Sequence, residues 1–196
     1  MARKNGRAKG SAFERRVASD LRLWLGDEWR VQRNLDDDQS GVRGRAGDIL
    51  VDGGPHDWPF AIECKAGHGL RVSHLLKDTG PLTRQWGQAW RQADAVGLIP
   101  MLITKPQEHG SPALVVVPHW VRHRLGLTPP YAELTLGSHP VSAAKWSDLL
   151  QQSPLVVAEV AAEHTDHKAL IAEVSETMGS PDMMRTQHVW VHLGEE

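Results

Sequence analysis

The sequence holds one cysteine, Cys64, so no disulfide can form within the chain, and a reducing cytoplasm suits it. Nowhere does an apolar run approach the roughly 20 residues needed to cross a bilayer as a helix. The basic N-terminus lacks the apolar segment of a secretory leader, so a soluble protein without a membrane partner is expected. Metal-binding cysteine pairs are absent, as is a His-Glu-x-x-His signature. The 11 histidines, including His119-x-x-x-His123 and His164-x-x-His167, therefore read as surface residues and not as a zinc site. Phenylalanine and tyrosine are scarce, two and one, against eight tryptophans that fall mostly at apolar positions of expected helices, where packing is their ordinary use.

A strong net charge is missing too, but the value of −2 hides a gradient. Residues 1–34 carry nine Lys or Arg against four acidic residues, while 151–196 carry two against eight. A polyanion would be drawn to the front of the chain, to Arg3, Lys4, Arg7, Lys9, Arg15 and Arg16. An arm of this kind can equally be solvated and disordered.

The informative stretch runs Gly47-Asp48-Ile49-Leu50-Val51, then a turn-rich 53–59, then Phe60-Ala61-Ile62-Glu63-Cys64-Lys65. It predicts a strand, a turn and a strand. Side chains alternate along a strand, so Phe60, Ile62 and Cys64 can enter a core while Ala61, Glu63 and Lys65 share the other face. If the runs pair as a hairpin, Asp48 comes to lie beside Glu63. Two carboxylates that close repel unless a cation lies between them, and hard oxygen ligands suit Mg²⁺ or Mn²⁺. Lys65 cannot be a ligand, but it can orient or deprotonate a water, or offset charge building on a phosphate. Taken alone, a Glu-x-Lys triplet is more often a pair of solvated strand residues. The glycine before Asp48, the β-branched flanks and an upstream acidic residue, Glu14, favour a site.

Phe13, Val17, Leu21, Trp24 and Leu25 recur at helical spacing over Gly10–Gly26, with Gly26 as the stop. Within this helix Ser11-x-x-Glu14 has the form of a capping box, in which Glu14 only returns a bond to the backbone of Ser11. Glu14 also shares a flank with Ala18, Leu21 and Leu25, which would turn it to the sheet edge. Both readings stay open, cap or site residue.

Lys9-Gly10-Ser11-x-Phe13-Glu14-x-x-Val17-Ala18, Gly47-Asp48-Ile49 and Ile62-Glu63-Cys64-Lys65 together resemble the PD-(D/E)xK nuclease superfamily, and within it the archaeal-type and phage-encoded Holliday junction resolvases. The likeness covers about 9–105, with Gly47 in place of the proline that names the motif. It implies a restriction-endonuclease-like α/β core, a mixed sheet flanked by helices. It also implies metal ligation by Asp48, Glu63 and the backbone carbonyl of Cys64, a catalytic Lys65, and Glu14 near the metal. A Mg²⁺-dependent endonuclease follows, structure-specific on branched DNA, homodimeric, and at work in a bacterial or phage-infected cell. A RecB-like exonuclease, a nicking or restriction-type enzyme, or a DNA-binding module without chemistry would share most of these residues.

Pro81 to Gly97 opens and closes as a helix should, with Leu82, Trp86, Ala89, Trp90 and Ala93 as its apolar face. Gln85, Gln88 and Gln92 line a strip beside it, which is similar to the glutamine-bearing helix of the superfamily, and Gln88 is the one expected to reach the site. The strand over 98–105 ends at Lys105, able to touch DNA or merely to close the strand. The loop 34–46 is polar and glycine-rich, and its Arg43 and Arg45 would grip phosphates near Asp48. Cys64 faces the core and is expected only to pack.

The nuclease core is expected over 1–105 and a C-terminal α+β extension over 106–196, with no function evident for the latter. In it a strand is predicted over 113–117, a helix over 119–125, irregular chain over 127–140, helices over 146–152 and 155–178, and a strand over 187–193.

Overall fold

A computed structural model describes residues 3–35, 46–67, 71, 73, 80–157 and 159–163. The element order is α1 (Arg3–Leu25), β1 (Arg30–Arg33), β2 (Ile49–Asp52), β3 (Phe60–Ala66), α2 (Pro81–Val96), β4 (Ile99–Lys105), β5 (Leu114–Pro118), α3 (His119–Arg124), β6 (Ala132–Leu136), β7 (His139–Lys145) and α4 (Trp146–Leu149). The seven strands form one sheet in the order β1-β2-β3-β4-β5-β7-β6. All pairs are antiparallel except β3 with β4, which run parallel because α2 carries the chain back across one face. The expected mixed sheet flanked by helices is what the chain forms.

Alternation along β3 divides the core. Phe60, Ile62 and Cys64 pack with Val17, Leu21 and Leu25 of α1 and with Met101 and Ile103 of β4. On the opposite face Leu82, Trp86 and Ala89 of α2 pack on Leu102, Leu114 and Val116. Ala61 and Ala93 meet beside them. Fully burying side chains of this size is worth about 1.5–3 kcal/mol each, so the two clusters fix both helices to the sheet. Gln85 takes a buried place on α2, while Trp90 is only half-buried.

Three local expectations need correction. The first helix begins at Arg3, not near Gly10, because Arg, Lys and Ala favour helix strongly enough to carry Gly6 and Gly10. Ser11 is thus mid-helix and caps nothing, which removes the capping-box reading of Glu14. The chain over 127–140 is not irregular throughout: β6 and the start of β7 lie there, joined by Gly137 and Ser138, with Leu136 paired to His139. The strand β1, which had no expected counterpart, pairs along its whole length with β2.

The expected boundary at 105/106 falls between β4 and β5, which pair in the sheet. The chain divides into compact units Met1–Ala161 and Ala162–Glu196. Most of the helix expected over 155–178, His164 and His167, and the strand over 187–193 lie outside the described residues, as does most of loop 34–46 with Arg43 and Arg45.

Candidate active site

The site is built where β2 meets β3. Ile49 pairs with Ile62, and Asp48, just before that pair, meets the same stretch of β3. The Asp48 N–H donates to the Ile62 carbonyl at 2.7 Å, and the Asp48 carboxylate accepts the Cys64 N–H at 2.7 Å. Gly47 makes this approach possible. Its φ is +87°, and a Cβ built there would lie 2.3 Å from the Ile62 carbonyl oxygen. Proline, locked near −65°, could not occupy this position, which accounts for the departure from the motif's name.

Glu63 is 1 % exposed, under α2. Its Oε1 accepts from the Lys65 ammonium and from Gln88 Nε2, the latter at 2.7 Å. Its Oε2 is buried with no hydrogen-bond partner. Such an atom costs on the order of 1–3 kcal/mol, more when charged, unless something meets it. Lys65 Nζ also lies 4.0 Å from Asp48 Oδ2, so the amine lies between the two acids.

The electrostatics follow from burial. Glu63 is pushed up to about 7, first by loss of water and then by the charge of Asp48. Asp48 is also raised, burial outweighing the Cys64 N–H and Lys65 that favour its anion. Burial acts to lower Lys65, but the charge and hydrogen bond of Glu63, with Asp48 behind, outweigh it and hold the amine above its ordinary value. The Cys64 thiol is raised well above the usual range by burial and by the neighbouring acids, so it packs and does not attack.

Glu14 lies on the edge of this cluster, and Arg33 of β1 grips it: Nη2 and Nε stand 2.6 and 3.0 Å from Glu14 Oε2, and Nη2 also donates to Ser11 Oγ at 3.1 Å. Arg33 escaped sequence reasoning. Its signal was the alternation Val31-Gln32-Arg33 after Trp29, a four-residue strand too short to stand out. Both Glu14 and Arg33 bear on Asp48 through their charges.

Of the expected site residues, then, Asp48, Glu63, Lys65 and Gln88 come together, with Glu14 beside them. Arg3, Lys4 and Arg7 are on the first turns of α1, Lys9, Arg15 and Arg16 are exposed along it, and Arg16 reaches Asp20 at 3.9 Å. Lys105 bonds the Ser111 carbonyl at the end of β4. His119 bonds Ser142 Oγ, and among the described residues no three His, Cys, Asp or Glu side chains form a metal-holding group. Nor, among them, is any helix long and apolar enough to cross a membrane.

A mixed sheet with a carboxylate pair and an amine at the end of its antiparallel hairpin, braced by a glutamine from the crossover helix, defines a PD-(D/E)xK protein. The family model described as "Phage putative PDDEXK endonuclease" matches residues 5–125, and the chain belongs to that family. Among solved structures it is similar to that of Archaeoglobus fulgidus Hjc, a Holliday junction resolvase from an archaeal hyperthermophile, at 14% identity and a TM-score of 0.37, over 76% of this chain and 97% of that one. No curated protein matches the chain.

Proposed function

We propose that this protein is a divalent-metal-dependent DNA endonuclease that hydrolyses phosphodiester bonds in branched DNA. The single observation that carries the reading is the buried, unpartnered Oε2 of Glu63, whose carboxyl feels the charge of Asp48 and shares Lys65 with it. Two acids with raised pKa values, one holding a bare oxygen, are a donor set that fits a hard cation. Asp48, Glu63 and the carbonyl of Cys64 would hold Mg²⁺ or Mn²⁺. Once bound, such an ion supplies positive charge against the oxyanions that develop on the phosphate and makes water a readier nucleophile.

The rest is the work of side chains. Gln88 and Lys65 occupy one oxygen of Glu63 and so leave the other, buried and without a partner, for the cation. Lys65, kept as an ammonium by its two acidic neighbours, is suited to offset charge on the phosphate and not to remove a proton. In the reaction the oxygen of water forms its bond to phosphorus as the bond to the 3′-oxygen breaks, the water giving a proton up to solvent and the 3′-oxygen taking one from it. Glu14, held by Arg33, keeps further negative charge at the rim. The basic residues of α1, with Arg43, Arg45 and Lys105, would bind flanking phosphates. Two copies acting as a homodimer would cut two strands.

The decisive experiment compares a four-way junction, linear duplex and single strands with Mg²⁺, using wild type and Asp48→Ala. Paired nicks confined to the junction, lost in the variant, are expected. End-dependent digestion would make the protein an exonuclease, and cleavage of linear duplex a nicking or restriction-type enzyme. Tight DNA binding without any cleavage by wild type would leave only a binding module.

A further inference from the structure

Behind the acids lies a second polar group that the reaction above does not use. Thr104, on β4, is wholly buried, yet it is a hydroxyl in a strand otherwise made of Ile, Pro, Met and Leu before its closing lysine. Its Oγ1 donates to the main-chain carbonyl of Lys65 at 3.1 Å, across the parallel pair in which Lys65 and Thr104 stand opposite. On its other side, at 3.5 Å, is the side-chain amide of Gln85, itself only 7 % exposed. A hydroxyl has one proton and cannot serve two acceptors. With the amide turned so that Nε2 faces Thr104, each group has a complementary partner: Gln85 donates to Thr104, and Thr104 donates to Lys65.

We propose that Gln85 and Thr104 are positioning residues for Lys65, an inference that rests on the nuclease reading given above. Gln85 and Gln88 are three residues apart on one face of α2. Gln88 holds the acid of the Glu-x-Lys step by its side chain, while Gln85, through Thr104, holds the amine of that step by its backbone. The need for this is local. β3 ends at Ala66 and the chain turns at Gly67, so Lys65, though still paired with Thr104, is next to the last residue of its strand. A long, flexible side chain carries any drift of its Cα to the ammonium, and an error of about 1 Å at a reacting group can cost as much as a hundredfold in rate. Apolar residues would fill the space under α2 equally well; they would not give the Lys65 carbonyl a donor beyond those of the strand ladder.

The test is Thr104→Val, which keeps the shape and removes the donor, with Thr104→Ser, which restores it. On the DNA that wild type cuts, Thr104→Val is expected to lose about 10- to 100-fold in kcat, with KM and metal-free DNA affinity unchanged. Thr104→Ser should recover most of that rate. Gln85→Met, approaching from the other side, should lose less than Thr104→Val and again in kcat alone. A Thr104→Val enzyme within twofold of wild type overturns the inference, and so does a Thr104→Ser enzyme as slow as Thr104→Val, since the hydroxyl would then not be the cause. Should Thr104→Val fail to fold, the Gln85→Met and Thr104→Ser rates decide. A wild type that cuts no DNA with any divalent ion overturns the nuclease reading itself, an outcome distinct from equal rates in wild type and variant.

Discussion

Replacing Glu63 by glutamine is expected to lower DNA cleavage about a thousandfold or more, because the substitution removes the charge that would hold the cation while keeping the size of the side chain. The same variant should change how stability depends on pH. In the folded chain Glu63 keeps its proton up to about pH 7, against 4.5 for the free group, so folding takes up a proton between those values. The contribution of this raised group is fully present below pH 4.5 and is lost as the pH climbs through 7. For a shift of this size the linked free energy is on the order of 2–3 kcal/mol. Metal-free wild type should therefore weaken relative to Glu63→Gln between pH 5 and pH 8 by about that amount, read by chemical denaturation. Mn²⁺ should raise the melting temperature of wild type more at pH 8 than at pH 5, and that of the variant little at either. Parallel pH profiles for the two proteins would show that Glu63 is not the strained acid described here.

The second large effect is expected at Gly47. Alanine there meets two obstacles: a backbone angle that costs an L-residue about 1–2 kcal/mol, and a Cβ only 2.3 Å from the Ile62 carbonyl oxygen. Backbone cannot yield as a side-chain tip does, so Gly47→Ala should cost about 3 kcal/mol or more in stability. What yields is the Asp48–Ile62 hydrogen bond, and with it the place of the aspartate. Mn²⁺ affinity, measured by calorimetry on whatever fraction folds, should fall along with stability. A variant as stable and as tight-binding as wild type would remove Gly47 from the design of the site.

Much of this was legible in the chain. The period of two over 60–65 set Glu63 and Lys65 on one face, and the antiparallel run from Asp48 into Ile49 brought the aspartate to the same stretch of β3. The proline and glycine that bracket α2 marked a helix in which a glutamine about two turns from its end could meet Glu63. Less was readable wherever a strand was short or a residue served two patterns. β1 has four residues, below what alternation can reveal. Ser11 and Glu14 fit a capping box as well as a helix interior, and only the run of helix-forming basic residues before them decides. β6 and β7 were missed although Leu134 and Leu136 alternate with polar neighbours ahead of a Gly-Ser turn; Pro129, Pro130 and Pro140 drew the eye to irregular chain. Thr104 and Gln85 look like ordinary polar residues until the parallel pairing sets one against the other.

The likeness to the family ends at residue 125, but the architecture does not. Every residue of β5 is buried, and its outer edge is closed by β7 along five paired positions. Farther on, the indole of Trp146 donates to Asp20 and the Gln152 carbonyl accepts from the indole of Trp24, so that the chain after 145 ties back to the first helix, the one that carries Glu14. A fragment trimmed to the recognisable segment would present a bare, greasy strand margin, open to self-association, and would lose both anchors of its leading helix. The smallest autonomous piece of this protein is thus larger than the part by which its ancestry is known.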